Sequence, residues 1–173
     1  MEAILLEPSG PPPDARQRQP PKADDRKART RKVFVGVYDR SIDDNGRLSL
    51  PSSFRGDLGD RCYATLDPQG CVTLRTASVF EAEAAEVIEA VKRDEAAPGV
   101  RRSLATNTTA VAVDKQGRLT LDEKAREFAG LTEAGTAMIV GNLNTIELWR
   151  PSRYETVSAE DDYEVAPRVW RDE

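Results

Sequence analysis

The chain has 173 residues, 39% of them apolar, and a net charge of −5; that is material for one ordinary domain or two small ones, and too acidic for a uniformly basic nucleic-acid coat. DNA binding stays open, because phosphate contacts need only a local basic stripe. The absence of histidine excludes Ser-His-Asp and Cys-His nucleophile chemistry, histidine general bases and every histidine-containing metal site.

The two cysteines, Cys62 and Cys71, are too few and too badly spaced for structural zinc and read as small buried residues. No phosphate-cradling glycine motif and no G-x-S-x-G elbow occurs. No catalytic residue, metal, cofactor or small-molecule substrate is therefore expected. No apolar run is long enough to span a bilayer, and residues 1–7 lack the basic n-region of a signal peptide. The expectation is a cytoplasmic protein with no membrane partner.

In chain order, residues 1–32 are rich in proline and then in basic residues, with few apolar ones to offset ordering entropy. They read as a disordered extension, either a solvated tail or a basic arm that touches DNA. Val33, Val35 and Val37 then alternate as in a half-buried strand. Ile42 and Leu48 straddle a glycine-containing turn. Pairing them leaves the three-residue loop Asp44-Asn45-Gly46, whose last position wants φ > 0 and has glycine, and puts Asp43 opposite Arg47. A short helix follows, with Pro51 in its first turn and Phe54-Arg55 within it. A second hairpin runs from Cys62 through the turn Asp67-Pro68-Gln69-Gly70 to Leu74. An Ala/Glu-rich amphipathic helix is predicted over residues 79–91 (Val79, Ala82, Val87, Val91), ended by Pro98-Gly99.

The pattern then repeats. Ser41-Ile42-Asp43-Asp44-Asn45-Gly46-Arg47-Leu48-Ser49-Leu50 matches Ala112-Val113-Asp114-Lys115-Gln116-Gly117-Arg118-Leu119-Thr120-Leu121. In the second copy Val113 faces Leu119, Lys115-Gln116-Gly117 is the loop, and Asp114 faces Arg118. Asp122 is the expected N-cap and Gly130 the stop of a helix carrying Arg126. A last hairpin turns at Gly141-Asn142-Leu143-Asn144 into Ile146-Glu147-Leu148-Trp149. Residues 155–173 read as an acidic tail, with a short helix or docking segment around Trp170. One D-x-x-G-R string should arise by chance in roughly 3% of chains this long; two in matching surroundings are a strong internal signal. The domain reading is an extension (1–32), two repeats (33–97 and 98–154) and a tail (155–173). Each repeat is too small to bury a good core alone. Together they are expected to form one barrel-like domain with a pseudo-two-fold axis and both D-x-x-G-R loops on one face.

These residues resemble the MraZ family of bacterial transcription regulators, over about residues 33–154. The resemblance rests on the pair of motifs, Asp43 to Arg47 and Asp114 to Arg118, with Leu48-Ser49-Leu50-Pro51 and Phe54-Arg55 after the first. Leu119-Thr120-Leu121, Arg126 and Phe128-Ala129-Gly130-Leu131 follow the second, and the ending Ile146-Glu147-Leu148-Trp149 fits as well. It implies a mainly β fold with short helices (α+β), a two-repeat swapped-hairpin AbrB-like barrel. It also implies ring-shaped homo-oligomers and nucleoid-associated binding of double-stranded DNA at repeated promoter boxes of a division and cell-wall operon. Val33-Phe34-Val35-Gly36 stands where family members usually begin Met-Phe-x-Gly, which suggests that residues 1–32 are an upstream extension. The chain departs from the family in Asn45, where first loops often carry lysine, and in the polar stretch at residues 103–109.

By that resemblance Arg47 and Arg118 are the expected DNA-contacting arginines, oriented by Asp43 and Asp114, with Gly46 and Gly117 shaping the loops. An arginine fork suits guanine O6/N7 or a phosphate. Lys115, Arg55 and Arg126 are expected to add phosphate contacts, which position without specifying. The competing reading of the Asp–Arg pairs is that they only lock the turns. A rival function is a protein-interaction module of the antitoxin type on the same fold. An enzyme is not expected, because nothing converges on Asp43 and Asp44.

Overall fold

The computed structural model describes residues 33–169, and side chains as far as residue 161. The predicted basic arm at residues 1–32 and the segment around Trp170 lie outside the described residues. In chain order the elements are β1 (Val37–Ile42), β2 (Arg47–Ser49), α1 (Ser52–Leu58), β3 (Arg61–Leu66), β4 (Val72–Thr76) and α2 (Ala77–Lys92). There follow α3 (Pro98–Thr106), β5 (Thr108–Ala112), β6 (Arg118–Thr120), α4 (Glu123–Ala129), β7 (Gly135–Asn142), β8 (Thr145–Trp149) and α5 (Pro151–Val169).

All eight strands form one antiparallel sheet in the order β5-β3-β4-β8-β7-β1-β2-β6. Its two ends, β5 and β6, are consecutive in the chain and are joined by the second D-x-x-G-R loop, so the sheet curls into a nearly closed barrel. The pairings exchange elements between the repeats. β1 of the first lies on β7 of the second, from Val37↔Val140 to Ile42↔Gly135, and β5 of the second lies on β3 of the first, from Arg61↔Ala112 to Thr65↔Thr108. The first hairpin of each repeat is thus partnered by the second hairpin of the other, as the swapped-hairpin fold requires. The pseudo-two-fold axis passes between β2 and β6, where Leu48 pairs with Leu119, Arg47 with Thr120 and Ser49 with Arg118.

One core serves both repeats. Ile42, Leu48, Leu50, Phe54, Leu58 and Leu74 from the first meet Leu119, Leu121, Ala129, Ile139, Ile146 and Leu148 from the second. Cys62 and Cys71 are buried free thiols, pushed up to about 12 by that burial. The helices follow local signals. Asp122 caps α4 by accepting from the Ala125 N–H at 2.7 Å, and Gly130 closes it in the left-handed region at φ +67°. Pro51 stands one place earlier than expected, at the N-cap of α1, with no side-chain cap.

Four local expectations are corrected. Val33, Val35 and Val37 are exposed; Phe34 between them is buried and meets the Phe54 ring edge-on at 5.4 Å, so the alternation is real but its larger aromatic face turns inward. Pro98-Gly99 does not end the long helix. α2 stops at Lys92, and Pro98 opens α3, where its missing N–H costs nothing in the first turn. The turn between β7 and β8 is two residues, Leu143-Asn144, because pairing runs on to Asn142↔Thr145. Leu143 adopts φ +55° there, held by reciprocal backbone bonds with Phe34 at 2.7 and 3.0 Å. The second repeat's first hairpin closes at Asp114–Arg118, but β5 and β6 then diverge to opposite ends of the sheet. In the tail, α5 makes residues 151–169 helical.

Candidate nucleic-acid interface

Each loop is built around its aspartate. Asp43 Oδ1 accepts from the backbone N–H of Asn45 and of Arg47, both at 2.9 Å, and the Asp43 N–H donates to the Arg47 carbonyl at 3.0 Å. Asp114 Oδ1 does the same with Gln116 at 2.8 Å and Arg118 at 2.9 Å, and its N–H donates to the Arg118 carbonyl at 2.9 Å. A short acidic side chain that reaches the N–H two residues on mimics a backbone turn, which is why aspartate starts both motifs. Gly46 and Gly117 close the loops at φ +77° and +74°. The Arg47 N–H holds the Asp43 carboxyl below the usual carboxylate range, and the Arg118 N–H and guanidinium do so for Asp114.

The side-chain pairs differ. Arg118 Nε donates to Asp114 Oδ2 at 2.8 Å, whereas Arg47 Nε stands 3.6 Å from Asp43 Oδ2. Both arginine side chains are more than half exposed, 62% for Arg47 and 54% for Arg118. Exposed pairs of this kind contribute little, roughly 0–1 kcal/mol, so either guanidinium is free to exchange its carboxylate for another acceptor.

Register brings the two arginines together. Leu48 and Leu119 point into the core, so Arg47 and Arg118 share the outward face of the β2–β6 ribbon. Arg47 is opposite Thr120, and Arg118 is two residues from Thr120, which makes the arginines diagonal neighbours roughly 7–8 Å apart between Cα atoms. Asp43, Lys115 and Asp114 flank them at the loops, and the Lys115 ammonium is exposed and unpartnered among the described residues.

Arg55 and Arg126 lie where the sequence could not place them. The swap lays each over the loop of the other repeat. Arg126 covers Gly46 and donates through Nη1 to the Asp44 carbonyl at 2.8 Å. Arg55 covers Gly117 and donates through Nε to the Leu50 carbonyl at 2.9 Å. Two backbone bonds complete the exchange, Leu50 N–H to the Gly117 carbonyl at 2.8 Å and Leu121 N–H to the Gly46 carbonyl at 2.9 Å. Sequence reading also missed Asp44, whose Oδ1 accepts from the Ala134 N–H at 3.0 Å and ties the first loop to the start of β7. The one available signal for the clamps was that Arg55 and Arg126 stand at the same offset from their motif glycines.

Among the described residues no cluster of carboxylates and thiols is placed to hold a metal, and no helix is long and apolar enough to cross a membrane. The three carboxylates at the loops, Asp43, Asp44 and Asp114, each spend Oδ1 on backbone N–H groups. What the arrangement presents outward is a pair of guanidinium groups on a two-stranded ribbon, hardware for recognising an anion or a base edge.

A family model described as "MraZ protein, putative antitoxin-like" matches residues 104–167. The chain is 32% identical over 145 residues to the transcriptional regulator MraZ of Saccharopolyspora erythraea, an alignment covering 80% of this chain and all of that one. It is 29% identical over 130 residues to the same-named protein of Corynebacterium jeikeium, covering 75% and 90%. With that of Roseiflexus sp. it shares 32% over 126 residues, covering 72% and 86%.

Proposed function

The chain belongs to the MraZ family, and on that premise we propose that it is a sequence-specific DNA-binding transcription regulator acting on repeated promoter boxes, those of a division and cell-wall operon. The observation that carries the reading is the placement of Arg47 and Arg118 side by side on the outward face of the β2–β6 ribbon. A two-stranded ribbon fits the major groove, where an arginine fork takes guanine O6 and N7. Lys115 reaches a phosphate from the second loop. Arg55 and Arg126, each tied to a backbone carbonyl, hold the loops and add phosphate contacts through their remaining N–H groups. No step of this role needs a cofactor or a reaction.

A single barrel offers few contacts, so the regulator works as a ring-shaped homo-oligomer on the nucleoid in the cytoplasm, where several copies on repeated boxes gain by avidity. The exposed aliphatic residues Val33, Val35, Val37 and Leu143 support a surface that other chains cover. That patch and the antitoxin-like family description also favour a second reading, a module that binds a different protein.

Fluorescence anisotropy separates the two. The duplex carries the promoter upstream of the protein's own gene, a scrambled duplex is the control, and salt is varied. Arg47→Ala and Arg118→Ala are each expected to weaken promoter binding by about 1–3 kcal/mol and to narrow the margin over the scrambled duplex. Equal or absent binding by folded protein would leave the protein-partner reading standing instead.

A further inference from the structure

The two loops are alike in backbone and unlike in charge. Around the first stand two carboxylates, Asp43 and Asp44, and two guanidinium groups, Arg47 and the overlaid Arg126, for a net charge of zero. Around the second stand one carboxylate, Asp114, and three cations, Lys115, Arg118 and the overlaid Arg55, for a net charge of two positive. The arginines differ as well. Arg118 is hydrogen-bonded to its aspartate at 2.8 Å, and Arg47 stands off at 3.6 Å.

We propose that the chain meets DNA through unequal halves. The second loop, with Arg55 laid over it, is the phosphate anchor, and Asp44 makes the first loop a poor phosphate contact whose loosely held Arg47 is left for base edges. The inference rests on the DNA-binding reading above. Its physical basis is counterion release: each phosphate neutralised by a cation adds to affinity and steepens the salt dependence. A loop of zero net charge contributes little to that, and the Asp44 carboxylate repels the backbone that Lys115 attracts at the matching position. The swap lays one arginine over each loop, Arg126 on the first and Arg55 on the second, so the inequality comes from Asp44 standing where the second loop has Lys115.

The test is a salt series of anisotropy titrations on the promoter duplex, with Asp44→Asn and Lys115→Gln beside the unmodified protein. Asp44→Asn removes the charge and keeps the Oδ1 acceptor used by the Ala134 N–H. Lys115 is exposed, so its replacement leaves the fold intact, and a thermal melt of each variant checks this. Asp44→Asn is expected to bind about threefold more tightly. Lys115→Gln is expected to bind about tenfold more weakly at low salt, with the slope of log affinity against log salt reduced by about one. Unchanged affinity in Asp44→Asn, or an unchanged slope in Lys115→Gln, overturns the unequal halves while leaving DNA binding in place. If the unmodified protein ignores both promoter and scrambled duplex, the regulator reading itself falls, and this inference with it.

Discussion

Gly46 and Gly117 are the residues on which loop shape depends most directly. Both hold left-handed φ values, and a methyl group at Gly46 would stand 2.6 Å from the Leu121 carbonyl oxygen as well as against Arg126. Gly46→Ala and Gly117→Ala are each expected to lower stability by about 1–3 kcal/mol in urea unfolding, Gly46→Ala the more because a backbone oxygen cannot swing aside. Gly99→Ala is the control, since it faces open space within α3, and it should be neutral or stabilising by up to about 1 kcal/mol. The loop aspartates make a second prediction. Asp43 and Asp114 titrate below the ordinary carboxylate range in the folded protein. Their contribution is therefore complete above the unfolded value of about 4 and is lost only as pH falls through the lowered folded value. With no histidine in the chain, stability measured from pH 6 to 8 should be nearly flat. At this scale the motif residues were legible because aspartate and glycine act on their own neighbours. Arg126 and Asp44 were not, because their partners are backbone groups far along the chain, and Arg55 was not, because the loop it covers belongs to the other repeat although its own bond is to nearby Leu50.

Among the elements, the two helices after the loops are equivalent in place and unequal in capping. α4 begins at Asp122, whose Oδ1 accepts from Ala125 N–H and whose Oδ2 accepts from the Thr109 hydroxyl at 2.9 Å, so one side chain starts the helix and ties it to β5. α1 begins at Pro51 without a side-chain cap. Asp122→Ala is expected to cost about 1–2 kcal/mol by chemical denaturation, whereas Ser52→Ala at the start of α1 should change little. The Asp122 cap and the Gly130 stop could be read from sequence, since capping is a contact within one turn. The inward face of the first strand segment could not. Alternation gives a period without saying which side is covered, and Phe34 is buried only because Phe54 and Leu143 are there to receive it. The same holds for Leu143, whose positive φ is sustained by the Phe34 backbone rather than by its own residue type.

For the whole molecule, the exchange of hairpins predicts strong interdependence of the repeats. β1 relies on β7 and β5 on β3, and the core draws on both halves. A fragment of residues 33–97 and one of residues 98–161 are each expected to lack a cooperative thermal transition, and to regain one when produced together, as followed by circular dichroism. An independent transition in either fragment would show that a repeat folds without its swap. The duplication, the loop registers and the two inward leucines at the axis, Leu48 and Leu119, are properties of the sequence by itself, because periodicity, turn chemistry and self-similarity are local or repeated. The charge difference between the loops is likewise written locally, as Asp44 against Lys115, whereas the approach of Arg47 to Arg118 and the roofing of each loop by the other repeat's arginine were decided by tertiary structure alone. The reason is physical: strand pairing across a pseudo-two-fold axis sets those distances, and nothing in a residue's own neighbourhood specifies which distant strand it will meet.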